Sequence, residues 1–375
     1  MINQLKRFHA TQQKRAATTV TLCAAFAASA IVTPAIALAQ VPKPILPLPP
    51  QTVSTVPSNG DVNPYGVAFV PAGFPANSVA FPSDILVSNF NNNQNLQGTG
   101  TTIVRVDAHG KVSTFFQGQP GLGLTAALGI LRAGFVLVGN TPTTDGTSNT
   151  IKPGSLLLID RNGNLAGQLA NTSLINGPWG MAVQDNGGSA QVFISNVLSG
   201  TVVRLDMSIS STAVQIVRAT QIGSGYNHRT DPAALVLGPS GLFYDQRDDV
   251  LFVASSFDNA VYAIPHAGAR EDDNTAMGTL IYKDPVHLHG PLDLSVTGNG
   301  DLLVANSDGS NADPNQPSEL VEFTADGQFV AQFPVDPNNG GAFGLASMAL
   351  GKAMVRLAAV NDNQSTLTTW TVTIN

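Results

Sequence analysis

A short apolar pattern recurs six times along the chain and limits its fold more than any other feature of the sequence. Each run of hydrophobic residues ends in one or two small residues and then, in most cases, asparagine, as in "DILVSN", "QVFISN" and "DLLVAN". The runs end at intervals of 50 to 60 residues, at Asn89, Asn140, Asn196, Ser256, Asn306 and Asn361. Such an interval is typical of an array of repeated supersecondary units.

Each unit predicts four short strands. A Gly/Pro turn and an apolar strand, as in "GPWGMAV" and "GPSGLFY", precede the recurring run, and a further strand such as "GTVVRLD" follows it. Turns of the type "AHGK", "RNGN" and "ADGQ" then lead to a fourth strand, which is a strong hairpin signal. We therefore predict an all-β fold, a six-bladed β-propeller of four-stranded antiparallel blades over residues 51–375.

The predicted array lacks one strand at its C-terminal end and has one extra strand at its N-terminal end. The sixth unit ends at Asn375 without a fourth strand, whereas "QTVSTVP", Gln51–Pro57, resembles the fourth strand "KVSTFFQ" of the first unit. We predict that the N-terminal strand closes the last blade, so that no blade is left with a bare edge.

The motifs "PYGVAF", "GPWGMAV", "LVSN" and "GTVVRLD" resemble those of NHL-repeat-like six-bladed propellers. That superfamily includes gluconolactonase-type hydrolases, streptogramin lyases, peptide-amidating lyases and many secreted bacterial proteins. The resemblance implies blade geometry and no particular chemistry. The chain departs from the catalytic members: Asn63 and Pro64 stand where gluconolactonase-type enzymes have a glutamate, and His287 and His289 share one segment, whereas amidating lyases take zinc-binding histidines from separate blades.

The first 39 residues have the pattern of a secretory signal peptide. A basic leader precedes an Ala-rich apolar stretch that ends in "ALA" directly before Gln40. The alternative is an uncleaved anchor helix, since the apolar stretch approaches the length of a membrane span. Cleavage predicts a periplasmic or secreted protein. It also removes Cys23, the only cysteine, so that no disulfide can form.

The segment after the leader, residues 40–50, alternates proline with apolar residues and predicts an extended linker. Beyond the leader, 14 basic residues stand against 25 acidic ones, without a basic cluster. This balance argues against nucleic acid and anionic membrane surfaces as partners, because both require concentrated Lys and Arg. No segment after the leader is long and apolar enough to predict a membrane span, and we expect a monomer.

The predicted strand order places the turn before each first strand and the loop after each second strand on one face. The asparagines that end the second strands would then surround one mouth of the central channel, together with the amide-rich loop "SNFNNNQNLQGTG". Two interpretations stay open: the amides hydrogen-bond nearby backbone to end the strands, or they contact a ligand. The predicted ligand-binding residues are Asn89, Asn91, Asn140, Asn196, Asn306, Asn361, Tyr65, Trp179, Phe343 and Arg229.

Three histidines lie in the long connections that enter the fourth and fifth blades. His228 in "GYNHRTDP" and the pair in "DPVHLHGP" are expected near the same mouth. We predict His289 and His228 as candidate catalytic residues, and His287, His289 and Asp308 as candidate ligands of a divalent cation (Ca, Mg or Zn), although no cofactor is certain. The alternative is that the rings hydrogen-bond loop backbone.

Two functional hypotheses follow from the sequence. The first is an exported propeller that binds a small polar ligand or a protein partner at one mouth of its channel. The second is a metal-dependent hydrolase or lyase related to gluconolactonase-like or streptogramin-lyase-like propellers. The sequence leaves open whether the protein is an enzyme.

Overall fold

The structure is a computed structural model that describes residues 44–46, 50–316, 318–351 and 353–373. The predicted signal peptide, residues 1–39, lies outside the described residues. The described part of the chain contains no helix that is long and apolar enough to cross a membrane.

Six four-stranded antiparallel sheets follow one another along the chain, which confirms the predicted all-β propeller. The innermost strands are β2 (Val62–Phe69), β6 (Leu124–Leu131), β10 (Pro178–Asp185), β16 (Pro239–Asp245), β20 (Pro291–Val296) and β24 (Ala342–Ala349). The second strands are β3 (Ile85–Asn91), β7 (Phe135–Asn140), β11 (Ser189–Asn196), β17 (Val250–Ser255), β21 (Leu302–Asn306) and β25 (Met354–Asn361).

The outer half of each blade comes from the following two strands. The third strands are β4 (Thr102–Val106), β8 (Ser155–Asp160), β12 (Thr201–Ile209), β18 (Ala260–Pro265), β22 (Ser318–Phe323) and β26 (Thr366–Thr373). The outermost strands are β5 (Val112–Gln117), β9 (Leu165–Leu169), β13 (Val214–Ser224), β19 (Thr279–Tyr282), β23 (Phe329–Asp336) and, for the sixth blade, β1 (Gln51–Ser54). A small extra hairpin, β14 (Arg229–Asp231) and β15 (Leu235–Leu237), precedes the fourth blade.

The N-terminal strand closes the ring as predicted. Strand β1 pairs antiparallel with β26, with Gln51 opposite Thr369 and Ser54 opposite Thr366. The backbone of Thr55 continues this contact by donating to the carbonyl of Ser365 at 2.8 Å. The last blade therefore has its fourth strand, and the edge of β26 is covered.

Residues 44–46, within the predicted linker, contact the propeller. Leu46 is 4% exposed and packs among apolar side chains of the fifth and sixth blades. The backbone N–H of Ile45 donates to the carboxyl group of Glu322 at 3.0 Å. This short piece therefore adds a clasp between the N-terminal segment and the fifth blade.

The first strand of every blade carries a register shift near the mouth of the channel. Glycine occupies this bulge in four blades because the neighbouring backbone comes very close: a Cβ on Gly180 would lie 2.1 Å from the carbonyl oxygen of Ser240. The Gly that recurs in "PYG", "PWG" and "PSG" is therefore required by the close approach of adjacent blades.

Buried side chains at the bulges link neighbouring blades. Ser88 Oγ donates to the carbonyl of Thr125 at 2.8 Å, and Ser240 Oγ donates to that of Pro291 at 3.0 Å. Between the last two blades a carboxyl group takes this role: Asp293 Oδ2 accepts from the N–H of Leu345 at 2.8 Å. These contacts and the apolar clusters between adjacent blades hold the inner strands in place around the mouth.

Candidate functional site

A cavity of about 290 Å³ opens at the mouth where the loops after the second strands converge. Contributions come from all blades except the second. The lining residues are Asn63, Tyr65, Asn91, Asn95, Gln97, Trp179, Ala233, Ala234, Val236, Leu237, Ser256, Leu292, Ser307, Asp308, Gly309, Gly340, Phe343 and Asp362. We call this space the mouth cavity.

Four aromatic rings form the floor of the mouth cavity. The ring of Tyr65 lies 4.7 Å from that of Phe343, 4.8 Å from that of Phe90 and 5.6 Å from that of Trp179, centroid to centroid. All four are buried in one apolar cluster, yet three of them reach the cavity with part of their surface. Tyr65, Trp179 and Phe343, which the sequence predicts as ligand-binding residues, therefore close the channel and also line the cavity.

Two amide oxygens at the mouth cavity have no hydrogen-bond partner in the structure. They are Oδ1 of Asn63, which is 4% exposed, and Oδ1 of Asn91, which is 2% exposed. Asn63 has a φ of 59°, and the amide nitrogen of Asn91 is bonded to Asn95 Oδ1 at 2.7 Å. Buried acceptors without partners are rare because they lose hydration without compensation, so these two oxygens are available to a donor in the cavity.

Two carboxyl groups complete the lining. Burial raises the pKa of Asp362 to about 6. Burial also raises the pKa of Asp308, against the opposing hydrogen bond that its Oδ2 accepts from the N–H of Gly340 at 2.6 Å. Among the described residues, none that line the cavity is a lysine, arginine or histidine. The mouth cavity is thus rich in acceptors and carries no positive charge of its own.

The extra hairpin β14–β15 covers one side of the mouth cavity. Ala233, Ala234, Val236 and Leu237 contribute to the lining. Leu235, at 2% exposure, inserts among the core rings with a φ of 63°, a conformation that is unusual for a residue with a side chain of this size. The hairpin is therefore anchored by its apolar side chain and narrows the entrance to the cavity.

The repeated asparagines have mainly structural contacts. Their amide groups tie the end of each second strand to the segment that enters the same blade: Asn140 donates to the carbonyl of Leu122 at 3.0 Å, Asn196 to that of Leu174 at 3.0 Å and Asn306 to that of His287 at 2.7 Å. Asn89 donates to the carbonyl of Thr55, and Asn361 to Asp336 Oδ2. Of the predicted ligand-binding asparagines, Asn91 is the one that lines the mouth cavity.

In the amide-rich loop, some residues line the mouth cavity and others stabilise the loop itself. Asn91, Asn95 and Gln97 line the cavity, whereas Asn92 Oδ1 accepts from the backbone of Gln94 and Leu96 and so forms the turn itself.

His289 lies on the same side of the propeller as the mouth cavity but beneath its wall. The ring is 2% exposed, its Nε2 lies 3.2 Å from the carbonyl oxygen of Val286, and its Nδ1 faces the carbonyl of Asn311. Glu319 Oε1 is 3.8 Å from Nε2, and burial raises the pKa of this carboxyl group to about 7. Each ring nitrogen faces a backbone carbonyl group of the protein, so His289 contacts two loops and is absent from the cavity lining.

The other predicted polar residues lie outside the mouth cavity. His228 is exposed, with Nδ1 at 3.0 Å from the carbonyl oxygen of Tyr226. His287 stacks on Phe329 with ring centroids 3.7 Å apart and pairs with Asp284. Arg229 pairs with Asp231 at 2.9 Å on the exposed face of the hairpin.

The described residues contain no group of three or more His, Cys, Asp or Glu side chains that could hold a metal ion. The predicted trio of His287, His289 and Asp308 therefore does not form a metal cluster. The oxygen atoms at the mouth cavity are a different donor set: the amide oxygens of Asn63 and Asn91 suit a hard cation such as Ca²⁺ or Mg²⁺ and do not suit zinc.

Asn63, Asp362 and the hairpin were missed as site components from the sequence. Asn63 directly precedes the "PYG" motif and Asp362 directly follows a repeated asparagine, so each lies next to a recurring motif that indicates the channel mouth. Their direction toward the channel depends on the bulge and on the left-handed backbone at Asn63, which the sequence does not display.

Comparisons with known proteins support the fold. A putative oxidoreductase (glucose dehydrogenase) of Thermus thermophilus is 12% identical, with a TM-score of 0.50 over 86% of this chain and 100% of that chain. A gluconolactonase of Xanthomonas campestris is 12% identical, with a TM-score of 0.48 over 86% and 90% of the two chains. The calcium-binding protein regucalcin of Agrobacterium tumefaciens is 12% identical, with a TM-score of 0.47 over 86% and 95%.

No family model and no curated protein matches the sequence. The similar structures are six-bladed propellers, and the one with a TM-score of 0.50 supports the fold alone. The more specific resemblance to NHL-repeat propellers stays a prediction.

Proposed function

We propose that this protein is an exported propeller that binds a small, donor-rich polar ligand in the mouth cavity. The observation that carries the proposal is the pair of buried amide oxygens of Asn63 and Asn91, which lack partners and line the cavity. A protein does not usually leave two such acceptors unsatisfied in one place, and a bound molecule with hydroxyl or amino groups would satisfy both.

The charge of the lining narrows the ligand class. Asp308 and Asp362 are present without a basic residue among the described lining residues, so an anionic ligand would be repelled. The rings of Tyr65, Trp179 and Phe343 offer apolar and π surface beneath the acceptors. Polyols, sugars and organic amines combine hydrogen-bond donors with apolar C–H surface and match this lining.

The volume of the mouth cavity sets the size of the ligand. A space of about 290 Å³ is at the small end of typical ligand pockets and accommodates a compound the size of a monosaccharide. A small ligand taken up by a monomer in the periplasm or outside the cell is consistent with the predicted leader, the acidic composition and the absence of cysteine after residue 23.

Thermal-shift and calorimetric screening of neutral sugars, polyols, amines and organic anions tests the proposal. Asp362→Asn and Asn91→Ala are the test variants, and Asp313→Asn is the matched control, since Asp313 lies in the same channel-face loops but outside the cavity lining. We expect Asp362→Asn to weaken binding of the best ligand about tenfold, because a hydrogen bond to a charged group contributes about 1.5–3 kcal/mol. Asn91→Ala should weaken it several-fold, because a neutral hydrogen bond contributes about 0.5–1.5 kcal/mol, and the control should bind normally. Preferential binding of anions, or equal loss in the control, contradicts the proposal.

A divalent-cation-dependent hydrolase or lyase is the second candidate, and one observation favours it. The carboxyl group of Asp362, whose pKa burial raises to about 6, lines the same cavity as the amide oxygens that suit a hard cation. A carboxylate with this pKa is suited to accept a proton near neutral pH, and a bound cation would polarise a substrate oxygen. Elemental analysis of the purified protein separates the candidates: one equivalent of Ca or Mg that is lost in Asn63→Ala supports the enzyme, and metal-free protein that still binds the ligand supports the binding protein.

A further inference from the structure

A second, larger cavity of about 560 Å³ lies at the opposite end of the channel. The same inner strands line both cavities. Tyr65 and Phe343 line the mouth cavity, and Val67 and Leu345, two residues further along these strands, line the second cavity. The aromatic floor lies between the two. We call this second space the basal cavity.

Most of the side chains that line the basal cavity are apolar. Inner strands of all six blades contribute aliphatic or aromatic side chains, and no Asp, Glu, Lys or Arg is among the described lining residues. The hydroxyl groups that reach it are largely satisfied within the protein: Ser295 Oγ donates to Ser347 Oγ at 2.7 Å, and Tyr244 Oη donates to Asp249 Oδ1 at 3.0 Å. The lining side chains therefore favour contact with a hydrocarbon chain.

The lining extends outward between the first and sixth blades. Phe69, Pro71 and Ala72 form one side of this extension, and residues 348–350 form the other. Leu350 is 39% exposed, and Phe81, in the first-blade loop that contributes Ser83 to the lining, is 44% exposed. Apolar surface thus continues from the channel to the outside along one direction, which suits a chain better than a compact ring system.

One cation lies beside this extension. Arg356 on β25 is opposite Met348 in the sheet, and its guanidinium carbon is 5.9 Å from the centroid of the Phe69 ring. Arg356 has no acidic partner within 4.0 Å among the described residues, whereas Arg132, further round the same channel end, is paired with Asp185 at 3.6 Å. An unpaired guanidinium at the rim of an apolar cavity is suited to a carboxylate.

We propose that the basal cavity binds a single-chain carboxylate amphiphile of the fatty-acid type. Its hydrocarbon chain occupies the channel and leaves between the first and sixth blades, and its carboxylate pairs with Arg356. This site is separate from the mouth cavity and does not depend on the function proposed for it.

Titration with alkanoates of increasing length tests the chemistry of this site. Calorimetry with octanoate, decanoate and dodecanoate, at concentrations at which they remain monomeric, should show affinity rising about fourfold per methylene group. Dodecyltrimethylammonium, which has the same chain with a cationic head, should bind at least tenfold more weakly than dodecanoate. Affinity that is independent of chain length, or equal for the two heads, overturns the proposal.

Site-directed variants locate the site. Met348→Asp places a carboxylate in the cavity wall and should abolish dodecanoate binding, whereas Val217→Asp, on the exposed outermost strand of the third blade and outside the lining, should leave it intact. Arg356→Gln should lower dodecanoate affinity about tenfold and leave dodecyltrimethylammonium unchanged or tighter. Thermal melting checks that each variant is folded. Equal binding by Met348→Asp and Val217→Asp, or an unchanged affinity in Arg356→Gln, excludes this site.

Discussion

Raising the pH should destabilise the propeller through the buried carboxyl group of Asp293. Burial raises its pKa from an ordinary 3.8 to about 7, against the opposing hydrogen bonds from the backbone N–H groups of Leu345 and Leu294. A carboxyl group whose pKa is higher in the folded than in the unfolded chain favours folding while it is protonated. Its contribution is therefore complete below about pH 4 and is lost as the pH rises through about 7.

The magnitude follows from that difference in pKa. Between pH 5 and pH 8 the linkage relation gives a loss of roughly 2–3 kcal/mol in the free energy of unfolding from Asp293 alone. For a chain of this size we expect a fall of roughly 5 °C in the melting temperature. Burial raises the pKa values of Glu319 and Glu322 to about 7 and that of Asp362 to about 6, so the whole protein should lose more stability than this over the same range.

Replacement by asparagine isolates the effect of Asp293. Asp293→Asn keeps the shape of the side chain and removes the titration, so the variant should be less stable than the wild type at pH 5 and should lose less stability between pH 5 and pH 8. Urea unfolding at five pH values, with the exposed Asp326→Asn as control, measures both quantities. A pH dependence in Asp293→Asn as steep as that of the wild type would refute the reasoning.

Three further predictions concern the contacts that hold the mouth. A chain that starts at residue 58 lacks β1 and should melt lower or aggregate in size-exclusion chromatography compared with one that starts at residue 50, because β26 loses its partner and both chains lack the contacts of residues 44–46; equal behaviour contradicts the closure. Asn196→Ala removes hydrogen bonds to Leu174, Asn176 and Thr201 and should lower the free energy of unfolding in urea by about 2–3 kcal/mol. Asn91→Ala should lower it by less than about 1 kcal/mol, and similar losses would show that the two asparagines do not differ in role. His289→Ala should cost about 2–4 kcal/mol because it leaves a cavity beside Glu319, and the exposed His266→Ala should cost almost nothing; an unchanged stability in His289→Ala would exclude a structural role.

The fold could be predicted because each blade repeats the same short-range signals. Gly163 and Gly327 have positive φ values of 79° and 87°, as their Asn-Gly and Asp-Gly hairpin sequences require, and Gly110 in the His-Gly turn of the first blade has a φ of 79°. The fourth strand of the last blade was predicted for the same reason, since β1 repeats the pattern of β5. Repetition therefore conveyed the architecture reliably.

Repetition was a poor guide to the site. Asn140, Asn196 and Asn306 recur because they make the same link between the second strand of a blade and its entry segment. Their repetition therefore indicates a structural role. The mouth cavity instead depends on residues that break the pattern, such as Asn63 and Asp362. The hairpin β14–β15 occurs before the fourth blade alone among the described residues, and nothing in the other blades predicts it.

A crystal structure of the exported protein with the best ligand from the screen tests the central claim most directly. The account predicts density for the ligand in the mouth cavity, with a donor within hydrogen-bond distance of Asn63 Oδ1 or Asn91 Oδ1 and another at Asp362, above the rings of Tyr65 and Trp179. Ligand density elsewhere on the propeller, with both amide oxygens bonded to protein groups, would contradict it.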